Sequence, residues 1–262
     1  MRLTFVLLAL WLATPAAAQD ARLRSLTTGD DSRGWEAVGR LNLGKTGFCT
    51  GALIDAQTVL TAAHCLYDKL TGQRIAPQDI EFLAGWRNGR AAAYRGVRRA
   101  VTLPDYVFAD DQRIDRVTRD LALLELDQPV RLPSVKPFET ADDPADGDEV
   151  GVVSYAQDRA EAPALQEVCH VLGQQGGVLV FSCAVDFGSS GAPVFTLRGG
   201  VARVVSVVSA KAHMGEVPVA LGTSLAGTLS ELRQLLGSTQ APPGVSVLRG
   251  NAAGNSAKFV RP

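Results

Sequence analysis

Short apolar runs separated by turn residues dominate the sequence between residues 37 and 223. Most runs are four to eight residues long and rich in Val and Leu, with Gly, Pro, Asp or Asn between them. AVGRLNL, TVLTAA, LALLEL, EVGVVSY and GVLVFSC are examples. This pattern is typical of many short antiparallel strands and predicts an all-β fold, either a barrel or a sandwich.

One segment near the C-terminal end has helical periodicity instead. In SLAGTLSELRQLL, Ser224 to Leu236, leucines recur at the spacing of one helix face, and Ser224 is a suitable N-cap. We therefore predict a C-terminal helix over these residues, with its apolar face made of Leu225, Leu229, Leu232 and Leu236.

An acidic break divides the strand-like runs into two groups. Residues 139–149, ETADDPADGDE, contain Pro and Gly but no apolar run, and about six runs lie on each side. We predict a linker here, between one β unit at 34–138 and a second at 150–237 that includes the helix. Residues 238–262 are rich in Gly, Pro, Ala, Ser and Asn, which predicts a flexible tail.

The first residues have the features of an export signal. Arg2 precedes the apolar run Phe5 to Leu12, and Ala16-Ala17-Ala18 forms a small-residue cleavage site. The run is too short to span a bilayer, which needs about 20 apolar residues. We predict a signal peptide at 1–18, cleavage after Ala18 and a secreted or periplasmic protein. Residues 19–33 then form an N-terminal segment that processing could remove as a propeptide.

Composition and charge argue mainly against certain classes of binding partner. The chain has 262 residues, of which 20% are charged and 46% hydrophobic, and its formal net charge is −1. This balance gives no electrostatic support for nucleic acid or an anionic membrane surface as a partner. A soluble monomer is the expectation.

The four cysteines fall in an oxidising compartment if the chain is exported. Four cysteines allow three pairings, and the short spacings favour two local bridges, Cys49–Cys65 and Cys169–Cys183. A zinc site is the alternative, but it is disfavoured because no C-x-x-C pair is present. We expect no metal.

Three side chains far apart in the sequence are candidates for acid–base chemistry. His64 follows an apolar strand and adjoins Cys65, so a bridge there would fix the backbone beside a general base. Asp120 heads a strand predicted to be buried, where a carboxylate needs a partner such as an imidazole N–H. Ser190 lies in DFGSSGAPVF, where a hydroxyl becomes a nucleophile only with such a base and acid.

Each candidate also has a structural interpretation. His64 is then a packed strand-end histidine, Asp120 a solvated turn residue and the Gly-Ser-Ser-Gly run a plain turn. We interpret His170 as structural.

The motifs TAAHC, DLALLEL and GSSGAPV occur in this order and resemble those of the chymotrypsin/trypsin-like serine proteases. The common family forms are T-A-A-H-C, D-I-A-L-L and G-D-S-G-G-P-V. The resemblance extends over about Gly34 to Leu236. It implies two six-stranded antiparallel β-barrels with an active site in the cleft between them and a C-terminal helix. It also implies a serine endopeptidase without metal or organic cofactor.

The resemblance assigns roles residue by residue. Ser190 is the nucleophile, His64 the general base and Asp120 the residue that orients the base. The amides of Gly188 and Ser190 form the oxyanion hole, where a glycine lets the backbone approach the substrate. The Cys49–Cys65 bridge matches the family's pair around the catalytic histidine.

The sequence departs from the family beside the nucleophile. Ser189 replaces the usual Asp, and no I-V-G-G-like start is present. Activation by a new N-terminal ammonium is therefore not expected, and Ser189 would instead hold the loop by local hydrogen bonds. In this the chain is similar to bacterial trypsin-like proteases, including the glutamyl endopeptidase-like group.

The residues expected around the substrate side chain point in different directions. Ala184 stands where trypsin has an Asp, so a basic preference is not supported. In VVSAK, Ser209 matches the substrate-backbone partner, and Lys211 replaces a Gly and would narrow the pocket or attract an acidic side chain. His213 is a second candidate for an acidic preference, although an exposed loop histidine is the favoured interpretation. Asp186 has the opposite charge, so these residues do not decide after which side chain the substrate is cleaved.

Two other functions remain as alternatives to hydrolysis of proteins or peptides. One is a catalytically inactive member of the family that acts as a binding module, and the other is an esterase that uses the same triad. An α/β-hydrolase is disfavoured because its chain order is Ser, acid, His and because helices do not alternate with these strands.

Overall fold

A computed structural model describes residues 20–45, 47–108 and 114–238 of the chain. The predicted signal peptide lies outside these residues, as does the predicted tail beyond Ser238. None of the helices in the described part is long and apolar enough to cross a membrane.

The first half of the chain forms a closed barrel of six antiparallel strands. After the two-residue strand β1 (Arg24–Ser25), its strands are β2 (Val38–Leu43), β3 (Phe48–Leu53), β4 (Thr58–Thr61), β5 (Ile80–Ala84), β6 (Ala93–Thr102) and β7 (Ala122–Leu126). Around the barrel the order is β2-β3-β4-β7-β6-β5. Its interior is filled by apolar side chains that are fully buried, including Val38, Leu41, Leu60, Phe82 and Leu124.

The second half closes into another ring of six antiparallel strands. These are β9 (Glu149–Ala156), β10 (Arg159–Gln175), β11 (Val178–Phe181), β12 (Pro193–Arg198), β13 (Val201–Met214) and β14 (Val217–Ser224). Pairing runs β9-β10-β11-β14-β13-β12 and returns to β9. The fold is therefore all-β with two six-stranded barrels, as the sequence and its family resemblance predicted.

The acidic segment between the barrels contains one short element. Residues Glu139–Thr140 form β8, which pairs in parallel with β13, and the N–H of Ala141 donates to the carbonyl of Val204. The chain thus runs along the outside of the second barrel before it enters β9. The sequence did not predict β8, because this strand is only two residues long and contains no apolar run.

Two helices accompany the barrels, α1 (Ile114–Val117) and α2 (Thr228–Ser238). The predicted helix start at Ser224 was four residues too early, because β14 continues through Ser224 and Gly227 breaks the chain with φ +75°. The Ser224 hydroxyl instead accepts a hydrogen bond from the N–H of Ala226. Leu229 and Leu232 are buried as predicted, and α2 packs against β6 and β7 of the first barrel.

The N-terminal segment is built into the second barrel. β1 pairs with β10, and the N–H of Ala21 donates to the carbonyl of Val168. Leu26 follows β1 directly and is fully buried in the core. A carboxylate oxygen of Asp20 lies 2.8 Å from Nδ1 of His170, which gives this histidine the structural contact expected of it.

Candidate active site

The chain positions His64 by a covalent link and a tight turn. Residues Ala63–Leu66 form a 3₁₀ turn directly after β4, and all four are buried. A disulfide joins Cys65 in this turn to Cys49 in β3. The imidazole therefore sits on a backbone that is fixed from both sides. A second disulfide, Cys169–Cys183, joins β10 to the segment after β11.

Cys49, His64 and Cys65 together offer three potential metal-ligand atoms within 4.8 Å of one another. The two sulfur atoms are joined in the disulfide, however, and so are not the free thiolates that a zinc site uses. This group is better explained as the support of the histidine than as a metal centre.

Asp120 lies directly before β7 and is completely buried. Its Oδ2 is 2.7 Å from Nδ1 of His64, and its Oδ1 accepts the backbone N–H of His64 at 2.8 Å. The carboxylate thus contacts the ring and the main chain of the same residue. This two-point contact fixes the imidazole orientation and favours the tautomer that leaves Nε2 as the acceptor.

The second barrel completes the surroundings of Asp120. The hydroxyl of Ser209 in β13 donates to Oδ2 of Asp120, and the hydroxyl of Thr223 in β14 donates to the carbonyl of Val117 at 2.6 Å. The Ser209 side chain thus serves this carboxylate, while its predicted backbone contact with substrate stays a prediction.

The same contacts set the ionisation of Asp120. Burial by itself would raise its pKa, but the charge of His64 and the hydrogen bonds from His64 and Ser209 hold the pKa below its ordinary value of 3.8. Burial, and after it the charge of Asp120, raises the pKa of the neighbouring Tyr106 phenol. The site therefore holds an ionised carboxylate next to a neutral phenol at neutral pH.

Ser190 lies between β11 and β12, and a cleft of about 500 Å³ is lined by both Ser190 and His64. Both side chains line this cleft, so the fold brings together the three side chains that the sequence singled out. Among the described residues, no hydrogen bond joins the Ser190 hydroxyl to the imidazole. Looser geometry of this kind is common in serine–histidine pairs without substrate.

The backbone around Ser190 has a regular pattern of hydrogen bonds. The N–H groups of Phe187, Ser189 and Gly191 each donate to a neighbouring oxygen. Within the described part of the chain, the N–H groups of Gly188 and Ser190 have no partner. These are the two amides that the family resemblance assigned to the oxyanion hole.

Gly188 needs to be glycine at this position. Its φ is +98°, and a Cβ there would approach the ring of Phe48 to 2.5 Å. The backbone of the loop therefore packs directly on the first barrel, and a side chain at this residue would displace it.

Ser189, which replaces the usual Asp, is fully buried. Its hydroxyl lies 3.1 Å from the hydroxyl of Ser154 and 3.3 Å from the carbonyl of Tyr155, and it accepts the N–H of Asp186 at 3.3 Å. Nη2 of Arg159 lies 3.4 Å away. Hydrogen bonds to β9 and to Asp186, together with the Arg159 guanidinium, thus hold Ser189 in the loop.

The residues predicted around the substrate side chain lie in two neighbouring cavities. Lys211 and Asp186 line both the cleft and a second cavity of about 290 Å³, and Nζ of Lys211 is 3.5 Å from a carboxylate oxygen of Asp186. Ala184 lines only the second cavity, together with Arg159. Burial lowers the pKa of this arginine, which is largely buried and pairs with Asp158 at 3.0 Å.

The favoured interpretation of His213 as an exposed loop histidine was right about its exposure but wrong about the loop. It lies in β13, two residues after Lys211 on the same side of the strand, and lines the cleft. The strand extends beyond the apolar run because it pairs with β14 as far as Met214.

Several residues of the cleft wall were not predicted from the sequence. Lys69, Phe108, Arg116 and Phe187 line it, and Nζ of Lys69 lies 5.7 Å from the ring centroid of Phe187. Three of the four lie in polar segments between the strands of the first barrel, which carried no recognisable motif. Phe187 lies in the DFGSSGAPVF segment beside Ser190, and its ring is mostly exposed.

Comparison with known proteins agrees with this geometry. The sequence profile of the Trypsin family matches residues 28–221, more than half of the chain. A Drosophila melanogaster protein described as a modular serine protease is 34% identical over 89 residues, which cover 33% of this chain and 14% of that protein. The chain thus aligns with only a small part of that longer relative.

A solved structure described as a Glu endopeptidase in complex with MPD shares the fold. It superimposes with a TM-score of 0.67 and 15% sequence identity, covering 84% of this chain and 98% of that chain. The likeness in three dimensions supports the two-barrel architecture described above. Because the family profile covers most of both barrels, the chain belongs to the Trypsin family.

Proposed function

We propose that this chain is an exported endopeptidase that cleaves peptide bonds through Ser190, His64 and Asp120. The Ser190 oxygen attacks the scissile carbonyl carbon while Nε2 of His64 takes the hydroxyl proton. The C–N bond then breaks, and His64 donates that proton to the leaving amine. Water, deprotonated by the same imidazole, hydrolyses the resulting acyl-enzyme ester and returns Ser190 to its hydroxyl form.

The pairing of the buried Asp120 carboxylate with His64, in a cleft that Ser190 shares, carries this proposal. The imidazolium that forms during attack is stabilised by an ionised carboxylate at 2.7 Å. The unpartnered amides of Gly188 and Ser190 supply donors for the oxygen that becomes negative, an interaction made mainly in the transition state.

Export is proposed from the sequence and from the two disulfides. Both bridges need an oxidising compartment to persist, and residues 1–18 have the pattern of a cleaved signal. Expression of the full chain in a bacterial host, followed by N-terminal sequencing of the exported product, tests this point. We expect the product to begin at Gln19.

Labelling by a fluorophosphonate tests the nucleophile, and hydrolysis of a mixed peptide library tests the reaction. We expect an adduct on Ser190 and peptide cleavage in the wild type, and neither in Ser190→Ala. An unlabelled, inactive wild type would favour the binding module. Turnover of simple esters without any peptide cleavage would favour the esterase. Cleavage by Ser190→Ala equal to wild type would reject the nucleophile.

We further propose that the enzyme prefers an acidic side chain in the substrate. Among the described residues, the cleft is lined by the cations Lys69, Arg116 and Lys211 and by one carboxylate, that of Asp186. The cavity behind it adds Arg159. Cationic walls of this kind lower the energy of a bound carboxylate, and the fold relative described as a Glu endopeptidase is consistent with this choice.

The matched variants Lys211→Gln and Lys136→Gln test the preference, because Lys136 is exposed and does not line the cleft. For acidic substrates we expect kcat/KM to fall about 10- to 100-fold in Lys211→Gln, the value of one hydrogen bond to a charged group. Lys136→Gln should match wild type. An unchanged ratio between acidic and neutral substrates in Lys211→Gln would contradict the proposed preference.

A further inference from the structure

We propose that Thr50 is a positioning residue that aligns the oxyanion-hole amides from the opposite barrel. This inference rests on the proposed function. Thr50 lies in β3 of the first barrel, next to Cys49, and is fully buried. It contacts the loop that carries Gly188 and Ser190, which belongs to the second half of the chain.

Thr50 binds this loop at two carbonyl groups. Its hydroxyl donates to the carbonyl of Gly188 at 2.9 Å, and its backbone N–H donates to the carbonyl of Ser190 at 2.8 Å. The same hydroxyl accepts the N–H of Tyr155 in β9 at 3.1 Å. One side chain therefore joins β3, β9 and the loop of the nucleophile.

These two bonds flank the peptide plane that carries the Ser190 amide. A trans peptide group is planar, so the direction of each N–H is fixed by the plane that it shares with the preceding carbonyl. The Ser189–Ser190 plane lies between the Gly188–Ser189 plane and the Ser190–Gly191 plane. Because Thr50 fixes the carbonyls of both outer planes, only small rotations of the middle plane are left.

The Gly188 amide is fixed from its own two sides. It shares a plane with the carbonyl of Phe187, which accepts the N–H of Gln157 at 2.7 Å. The next peptide plane, which contains the Gly188 carbonyl, is held by the hydrogen bond from the Thr50 hydroxyl. At φ +98° Gly188 is the residue where the chain could most easily rotate, so a bond at its carbonyl has the largest effect there.

The hydroxyl is what makes Thr50 specific for this task. Valine has nearly the same shape but can neither donate to Gly188 nor accept from Tyr155, which would leave two buried polar groups without a partner. Serine keeps both bonds. The pair Thr50→Val and Thr50→Ser therefore separates the hydrogen bonds from the volume of the side chain.

The experiment compares these variants with Ser206→Ala, a control that also loses one buried hydroxyl-to-carbonyl bond, in β13. In Thr50→Val we expect kcat to fall about 10- to 100-fold, less than the 10²–10³ reported for complete loss of an oxyanion donor. KM should stay within about twofold. The affinity for a peptide boronic acid, whose tetrahedral adduct uses the oxyanion hole, should fall with kcat. Thr50→Ser should restore both, and Ser206→Ala should change neither.

Equal stability loss in Thr50→Val and Ser206→Ala, with wild-type kcat and boronic acid affinity in both, would overturn the inference. If Thr50→Val does not fold, the smaller Thr50→Ala variant replaces it, with the same expected and contrary results. A wild type that is neither labelled nor active would overturn the proposed function, and this inference with it. An active, labelled wild type with no effect of Thr50→Val overturns the inference alone.

Discussion

At the scale of single residues, the buried carboxylate of Asp120 makes the contacts on which its proposed role in catalysis depends. Its oxygens accept the ring and backbone groups of His64 and the hydroxyl of Ser209, and these contacts hold its pKa below 3.8. An amide at this position keeps the shape of the side chain but presents an N–H₂ group where an acceptor is needed.

For Asp120→Asn we expect kcat to fall about 10⁴-fold while the protein stays folded, because the amide favours the wrong imidazole tautomer. Steady-state hydrolysis of a peptide substrate by the variant and the wild type measures this loss.

The pH dependence of the free energy of unfolding should also change in Asp120→Asn. The folded pKa of Asp120 is depressed, so its stabilisation is complete above the unfolded value near 3.8 and is lost as pH falls through the folded pKa. Urea unfolding between about pH 2 and 7 should therefore show a shallower acid loss in the variant. An identical pH profile would contradict this account of Asp120.

Two adjacent serines provide a second residue-scale prediction. Ser189 is fully buried and bonded to Ser154, whereas Ser190 faces the cleft. Ser189→Ala should lower the free energy of unfolding by about 1–3 kcal/mol, the cost of leaving buried groups unpaired, and reduce kcat through the loosened loop. Ser190→Ala should abolish activity at nearly unchanged stability. Thermal unfolding and peptide hydrolysis measured on both variants check this contrast, which equal effects on stability would contradict.

At the scale of elements, the helix α2 stabilises the first barrel through a few leucines. Leu232 is fully buried, while its neighbour Arg233 is exposed. Leu232→Ala should cost about 2–5 kcal/mol of unfolding free energy, since the truncation leaves a cavity. Arg233→Ala is the matched control and should cost little. We expect kcat/KM per folded molecule to be unchanged in both, and a selective loss of kcat in Leu232→Ala would show that α2 acts on the site directly.

The elements also show what the sequence can predict. The apolar runs located the strands of both barrels, because buried faces leave a strong signal in Val and Leu. The ends of the long strands were missed, since the outer parts of β10 and β13 are exposed hairpin arms whose pairing does not require apolar residues. The start of α2 was misplaced because Ser224 suits both a strand end and a helix cap.

The sequence predicted those residues of the candidate site that lie within recognisable motifs, but not the others. His64, Asp120 and Ser190 lie in motifs whose order in the chain is distinctive. Lys69 and Arg116 reach the same cleft through long-range packing, so no local pattern marks them. Thr50 likewise stood in the sequence as an ordinary strand residue, and only the contact between barrels gives it a role.

At the scale of the whole molecule, residues 20–33 pack into the folded unit, and the removal of this segment as a propeptide stays a prediction. Leu26 is fully buried, and β1 extends the second barrel. A chain that starts at Gly34 should therefore be less stable by at least about 2–5 kcal/mol, from the loss of Leu26 alone. Activity should fall rather than rise. Higher activity after this truncation would identify the segment as inhibitory.

The two ends of the described chain cross over between the barrels. The leading strand β1 edges the second barrel, and the closing helix α2 rests on the first. Each barrel is therefore completed by an element from the opposite end of the polypeptide. Cleavage within the acidic segment 139–149 would give two fragments, each of which lacks an element that completes its barrel. The folded protein should therefore remain assembled after such a cut. After unfolding, activity should return only when both fragments refold together.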